Sequence, residues 1–296
     1  MADKDIILRG PIRWFGGKGR LVGKLLERIP KHDFYLEVFG GGGSLLFAKK
    51  PAKIDVYNDI DSSLYNFYMV LSDEQKFESF YRIVDALPYS RELFVKCKYE
   101  LSKSEDEVKR AVAFFVLSRQ SFGGIYGSGW GYDKTATSGQ VPRSLRTWMT
   151  CVDKLPEIHE RLRAVQVENL DFRKVLLKYN DERYFVYVDP PYVSDTRKSG
   201  QYDYEMDDND HEELLDILLS HKGMVMVSGY QNKIYERLTE NGWYKEDFDV
   251  KRHTGLRVMT ENEEVNQKMR DSIKRVESIW VNPKLSTETS CDGGFL

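Results

Sequence analysis

Cysteine is scarce. The 296 residues hold three, Cys97, Cys151 and Cys291, far apart and odd in number. No disulfide framework and no CxxC metal pair can be built from them. The five histidines, His32, His159, His211, His221 and His253, are scattered, so no His/Cys cluster calls for a metal. No stretch approaches the roughly 18 uninterrupted apolar residues of a membrane span, and Met1 to Gly10 carries no apolar run of signal length. Internal repeats and low-complexity segments are missing as well. The expectation is a reducing, cytoplasmic protein with no membrane partner and no metal.

Apolar material is plentiful: at 41% hydrophobic and 13% aromatic, the chain can bury a large α/β core with an inserted lobe. A net charge of −3 argues on its face against a nucleic-acid partner. The distribution argues the other way. Between Val108 and Thr150 stand Lys109, Arg110, Arg119, Lys134, Arg143 and Arg146 against a single acid, Asp133. Between Asp203 and Asp216 stand eight acids and no Lys or Arg, which reads as a solvated face.

Strand and helix patterns alternate. Phe34–Phe39 reads as a strand, Gly40 to Gly43 as a glycine turn, and Ser44 onward as a helix. That order suits a nucleoside-like ligand, because a helix N-terminus and bare backbone favour close approach. No Gly-Lys-Ser/Thr follows, so a phosphate loop is excluded. Lys53 to Asp59 is the next strand, with Asp59 at its tip as a ribose-diol candidate, and Asp61 is the expected cap of a helix at Ser62–Leu71. Residues 73–163 read as mainly helical, with an expected break at Pro156. Within them Ser118–Tyr132 combines five glycines with four aromatics, too pliable for core and suited either to a nucleic-acid groove or to an ordinary surface loop. Alternation resumes at Val165–Asp171, a strand with an acid at its end, and a helix at Phe172–Leu177. A polar, tyrosine-rich loop is expected over Ser194–Met206, and a ragged tail from Lys284.

Tyr184–Val188 is the sharpest of the strands. Five apolar or aromatic residues stop at Asp189-Pro190-Pro191-Tyr192. Neither proline can donate to a ladder, so the turn is stiff. Strand tips of open α/β sheets are where ligands bind, although an Asp-Pro turn can also be merely a turn.

Four signatures stand in one order: Trp14 with Gly16-Gly17-Lys18, Glu37-Val38-Phe39 with Gly40–Gly43, Asn58-Asp59, and Asp189–Tyr192. In that order the chain resembles the Dam-type (alpha group) DNA adenine-N6 methyltransferases from about residue 10 to residue 282, with Glu277–Asn282 similar to the family's last strand. Val38 departs from the proline that many members carry. The resemblance implies a Rossmann-like S-adenosylmethionine-dependent sheet with helices on both faces, formed by residues 1–71 and 165–283, and an inserted helical target-recognition lobe at 72–164. It implies S-adenosylmethionine held by Trp14, Lys18, Glu37, Phe39, Gly41, Gly43, Asp59, Asp171, Phe172 and Asp189, with Asp189, Pro190 and Tyr192 catalytic. It implies double-stranded DNA as partner, contacted by Arg119, Ser121, Phe122, Gly123, Gly124, Tyr126, Trp130, Lys134 and Arg143. A monomer of bacterial or phage origin is expected, with a cognate restriction endonuclease as an open partner. Methylation of the cytosine N4 amine or of RNA, or a DNA-binding module that has lost catalysis, stand as alternatives. No cysteine adjoins the motif, which disfavours a cytosine-C5 mechanism.

Overall fold

The computed structural model describes residues 8–14, 16–19, 21–124, 126–192, 206–251 and 274–284. The chain forms two compact units, Met1–Asp171 and Phe172–Leu296.

The first unit runs α1 (Val22–Leu26), β1 (Phe34–Glu37), α2 (Ser44–Ala48), β2 (Ile54–Asn58), α3 (Ser62–Ser72), α4 (Glu74–Ala86), α5 (Arg91–Lys103), α6 (Glu107–Gln120), a 3-10 turn (Phe122–Gly124), β3 (Thr137–Ser138), β4 (Val141–Pro142), α7 (Arg143–Asp153), α8 (Leu155–Leu162) and β5 (Val165–Glu168). β1, β2 and β5 are parallel neighbours, with Phe34 opposite Ile54 and Asp55 opposite Val165. Parallel strands require crossovers. α2 supplies the first, and α3 through α8 are strung along the second. α6 is buried almost all round, from Ala111 to Ser118, as expected of a helix at the centre of a bundle. Phe115 packs against Phe67 at 6.0 Å, Phe80 at 5.7 Å and Trp148 at 5.1 Å. Asp61 caps α3 by accepting from Ser63 N and Leu64 N, as its position before the helix predicts. The break expected at Pro156 falls two residues earlier, at Lys154. Proline lacks only an N–H that the first helical turn leaves unbonded anyway, so Pro156 opens α8 instead of interrupting it.

This unit holds a buried ionic triad. Lys49 Nζ reaches Asp55 Oδ1 at 2.6 Å and Arg161 Nη2 reaches Asp55 Oδ2 at 2.6 Å. The three side chains are at most 8% exposed.

The second unit runs α9 (Phe172–Lys178), β6 (Tyr184–Val188), α10 (Asp208–Ser220), β7 (Met224–Tyr230), α11 (Lys233–Glu240), β8 (Tyr244–Lys251) and β9 (Lys274–Val281). β6 and β7 are parallel, with Val188 opposite Val227. β9 runs antiparallel to both β7 and β8. The acidic run is less bare than its composition suggests. On α10, Arg173 pairs with Asp210 and Glu213, and Arg237 with Glu212 and Asp216. The expected Ser194–Met206 loop, save Met206, and the tail beyond Lys284 lie outside the described residues, as do Cys291 and His253.

Candidate functional site

In the second unit β6 is buried along its whole length and delivers Asp189 to its C-terminal tip. Pro190 is buried behind it, and Pro191 and Tyr192 are half-buried. Ser228 Oγ donates to Asp189 Oδ1 at 2.9 Å, and Tyr187 Oη lies 2.9 Å from the same Oγ. Tyr192 is fixed at both ends. Its hydroxyl donates to Glu277 Oε1 of β9 at 3.0 Å, and its ring meets Tyr230 at 4.2 Å. Pro190, Pro191, Tyr192, Ser228, Tyr230 and Tyr235 line a shallow cleft there. Tyr235 from α11 is bonded to His211 Nδ1 of α10 at 3.0 Å. Burial, and then the Asp189 charge, push the Tyr235 phenol well above its ordinary range. A rigid acceptor carboxylate beside a fixed aromatic ring can bind a planar heterocycle and orient its amine. The motif predicted Asp189, Pro190 and Tyr192. Ser228, Tyr230 and Glu277 were missed, and the available signal was a serine ending the apolar run Met224-Val-Met-Val227.

In the first unit the glycine turn follows β1. Gly41 and Gly43 adopt positive φ, +48° and +63°, which L side chains rarely adopt. A Cβ on Gly41 would meet Trp14 Cδ1 at 2.5 Å, so the turn is bare to make room for Trp14 as well. Asp59 closes it, accepting from Gly41 N at 2.8 Å through one oxygen and from Asp61 N at 2.9 Å through the other. Burial raises its carboxyl to about 6, against the lowering by these backbone N–H groups. Asn58 knits the neighbouring tips by donating to Val38 O and Leu170 O and accepting from Leu170 N. Trp14, Gly41, Gly43 and Asp59 are therefore brought together, with Phe39 half-buried at the turn's start. Glu37 sits deeper. Its Oε2 accepts from Tyr35 Oη at 2.8 Å and from Leu46 N at 2.9 Å, the second bond capping α2. Lys18 is buried and donates to Gly16 O at 3.3 Å. Asp171 is half-buried ahead of α9, and Phe172 is buried beneath the Arg173 guanidinium, 4.3 Å from its ring centre.

The glycine-aromatic segment is more ordered than its composition predicts. Ser121 and Trp130 form an antiparallel bridge, Phe122 N donates to Gly129 O, and Gly131 N donates to Gln120 O. Trp130 stacks on Tyr132 at 5.4 Å and 13°, and the Arg91 guanidinium lies 4.8 Å and 5.1 Å from the two ring centres. Tyr126 packs on Trp14 at 6.0 Å. Phe122, Gly123, Lys134 and Arg143 face solvent. Arg119 instead turns inward, where burial lowers its pKa and its Nε finds no partner among the described residues. Ser121 is likewise buried, its hydroxyl donating to Leu117 O, and Gly124 ends the 3-10 turn. Arg91 and Tyr89, which back Trp130 from outside the segment, carried no sequence signal.

Among the described residues no group of three or more His, Cys, Asp or Glu could hold a metal, and no helix is long and apolar enough to cross a membrane.

Residues 14–259 match the family of D12 class N6 adenine-specific DNA methyltransferases. The chain is 29% identical over 270 residues to the Type II methyltransferase M1.LlaDCHI of Lactococcus lactis subsp. cremoris, covering 84% of this chain and 89% of that one. It is 27% identical over 230 residues to the Type II methyltransferase M.MjaIII of Methanocaldococcus jannaschii, covering 67% and 75%. With the DNA adenine methylase of Escherichia coli it shares 30% identity over 130 residues, 40% of this chain and 42% of that one. The matched span takes in Trp14, the glycine turn, Asp59 and Asp189–Tyr192 in the order set out above, and the chain belongs to the D12 class N6 adenine-specific DNA methyltransferases.

Proposed function

We propose that this chain is a site-specific DNA methyltransferase that moves the methyl group of S-adenosylmethionine to the N6 amine of an adenine flipped out of double-stranded DNA. The observation that carries the reading is Asp189, held by Ser228 at the tip of a buried strand and followed by a proline-stiffened turn and a clamped Tyr192. In this reading residues 1–71 and 165–283 bind the cofactor and do the chemistry, and residues 72–164 recognise DNA.

The glycine turn and Asp59 fit the cofactor. A carboxylate has about four acceptor sites, and backbone N–H groups occupy only part of those on Asp59, so ribose hydroxyls can be added. Gly41, Gly43, Phe39, Trp14 and Lys18 would flank the methionine portion, Asp171 and Phe172 the adenine ring, and Glu37 would act by bracing the turn. Bound S-adenosylmethionine supplies a methyl group on a positively charged sulfur, electrophilic enough for in-line displacement. Affinity for S-adenosylhomocysteine is expected to fall below about pH 6, where Asp59 takes up its proton and ceases to accept two hydroxyl donors. Titration calorimetry from pH 5 to 8 reads this, and Asp59→Asn removes the dependence. The stability effect has the opposite sense. The folded-state carboxyl titrates above its ordinary value, so Asp59 stabilises the fold at low pH, and that contribution is lost as pH rises through about 6.

A base in a duplex must leave the stack, at about a few kcal/mol. Stacking on Tyr192 offsets part of this, at roughly 1–3 kcal/mol per base. Asp189 and the Pro190 carbonyl accept from the two N6–H bonds, which draws the nitrogen out of conjugation and frees its lone pair for the methyl group. The acceptors are fixed in advance, so little reorganisation remains. The amine sheds its surplus proton only after it is methylated, so Asp189 need not act as a strong base.

DNA contact falls to the Phe122–Trp130 hairpin with Lys134 and Arg143, while the buried Arg119 and Ser121 support it. Lys134→Ala and Arg143→Ala are each expected to weaken binding evenly across sequences and to reduce the slope of log K against log salt by about 1. Fluorescence anisotropy over a salt series measures it.

Nucleoside mass spectrometry of DNA incubated with the purified chain and labelled S-adenosylmethionine tests the whole reading. N6-methyladenine is expected. N4-methylcytosine without it, or transfer to RNA alone, overturns the reading, and a DNA gel shift with no transfer makes the chain a binding module. We extend the proposal to a monomer working in the cytoplasm beside a restriction endonuclease of matching specificity, in keeping with relatives named as Type II methyltransferases.

A further inference from the structure

We infer that Ser228, backed by Tyr187, is a positioning residue for Asp189: a relay of two hydroxyls that locks the carboxylate in one orientation and holds it ionised. The inference rests on the functional reading above, in which Asp189 accepts from the target amine.

Ser228 is fully buried in β7, after the apolar run Met224–Val227. A hydroxyl buried there costs free energy unless it is bonded. Register explains what it bonds. Val227 lies opposite Val188, so Ser228 falls beside Asp189, and Tyr187 and Asp189 share a face two residues apart. The Ser228 hydroxyl sits between them, 2.9 Å from Asp189 Oδ1 and 2.9 Å from Tyr187 Oη. The ionised carboxylate only accepts, so the single Ser228 proton points at Oδ1. Tyr187 must then donate to Ser228. The order Tyr187 to Ser228 to Asp189 is thus set by the charge on Asp189, and each bond polarises the next. Protonating Asp189 would turn its acceptor into a donor and break this order. Among the described residues, the other titratable groups at the cleft are Tyr192 on the same segment, Tyr230 at the end of β7, Glu277 from β9, Tyr235 from α11 and His211 from α10. All are shared by the variants below, so differences between variants report the relay.

The test compares the full chain with Ser228→Ala, Tyr187→Phe and the double variant in single-turnover methyl transfer to DNA from pH 5 to 9, with KM for DNA measured alongside. Ser228→Ala is expected to lower the rate about 10- to 100-fold, the range for losing one charge-assisted hydrogen bond, with KM within about twofold. The acid limb of its pH profile should move up by about one pH unit, because the ionised form loses a donor. Tyr187→Phe should lose about 3- to 10-fold and shift the limb less. The double variant should fall short of Ser228→Ala by less than the Tyr187→Phe loss on its own, because Tyr187 reaches Asp189 through Ser228. An unmoved acid limb in Ser228→Ala, or losses that multiply in the double variant, overturns the relay. If Ser228→Ala does not fold, the limb of Tyr187→Phe, which removes one oxygen from a filled core, decides alone. A wild-type chain that methylates DNA beside an unchanged Ser228→Ala sinks the relay and spares the functional reading. A wild-type chain that methylates nothing sinks both.

Discussion

Asp189→Ala is expected to reduce methyl transfer by about a thousandfold or more while DNA retention stays within about twofold. The size follows from what the side chain does. The exocyclic amine of adenine is nearly planar and its lone pair belongs to the ring, so the barrier depends on acceptors that pull the nitrogen out of the plane. Removing one preorganised group at a developing charge costs about 10²–10³-fold in well-studied enzymes. Asp189 is both charged and fixed by a 2.9 Å bond from Ser228, which places it at or above the top of that range. Binding is spared because the proposed DNA-contacting residues lie between Arg119 and Arg143, remote from this motif in sequence. Asp189→Asn keeps one acceptor oxygen and should retain a measurable fraction of the rate. Labelled methyl incorporation and gel retardation on the same preparations check both halves, and turnover retained in Asp189→Ala would remove the residue from the mechanism.

Asp55→Ala is expected to cost about 3–5 kcal/mol of stability, the range for breaking a buried ion pair from one side. Asp55 is the only acid of its triad. It pairs with both Lys49 and Arg161, and it also accepts from Ala52 N at 3.1 Å. Arg161 Nε and Nη1 have no partner among the described residues, so that guanidinium depends heavily on this one carboxylate. Burial already lowers the Lys49 pKa and Asp55 opposes that lowering, so without the acid Lys49 can escape part of the penalty by shedding its proton. Arg161 has no such escape. The melting temperature should fall on the order of 10 °C. Replacing all three by apolar residues of similar volume should recover most of the loss, as such swaps often do. If Asp55→Ala melts with the wild type, the triad is ornamental.

Local features were legible in the sequence. The strand ending at Asp189 could be read from five apolar residues and two prolines, because proline and burial act over a few positions. The Asp61 cap was legible for the same reason. Features that depend on register were not. Ser228 matters because Val227 pairs with Val188, and Tyr192 is clamped because Glu277 returns beside Tyr230 from far along the chain. Glu37 shows the limit from another side. Its place in the motif suggested a ligand and gave no hint that its carboxylate also braces the helix that follows the turn. The Ser118–Tyr132 segment read as pliable from its glycines, whereas Tyr89 and Arg91, far back in sequence, hold its aromatics in place. Sheet membership followed from the alternating pattern, while its consequences for the site followed from which strand lay next to which.

The pairing of β2 with β5 has an evolutionary consequence. Asn58 and Glu168 are ladder partners, and the proposed recognition lobe, residues 72–164, is strung between the two strands. Closing a loop grows costlier only with the logarithm of its length, so inserts of very different size can be suspended from the same pair of strands. Under the proposed division of labour, a lineage can exchange that segment wholesale and acquire a new target sequence. The ladder beneath it, and the acid groups at the strand tips, would be inherited unaltered.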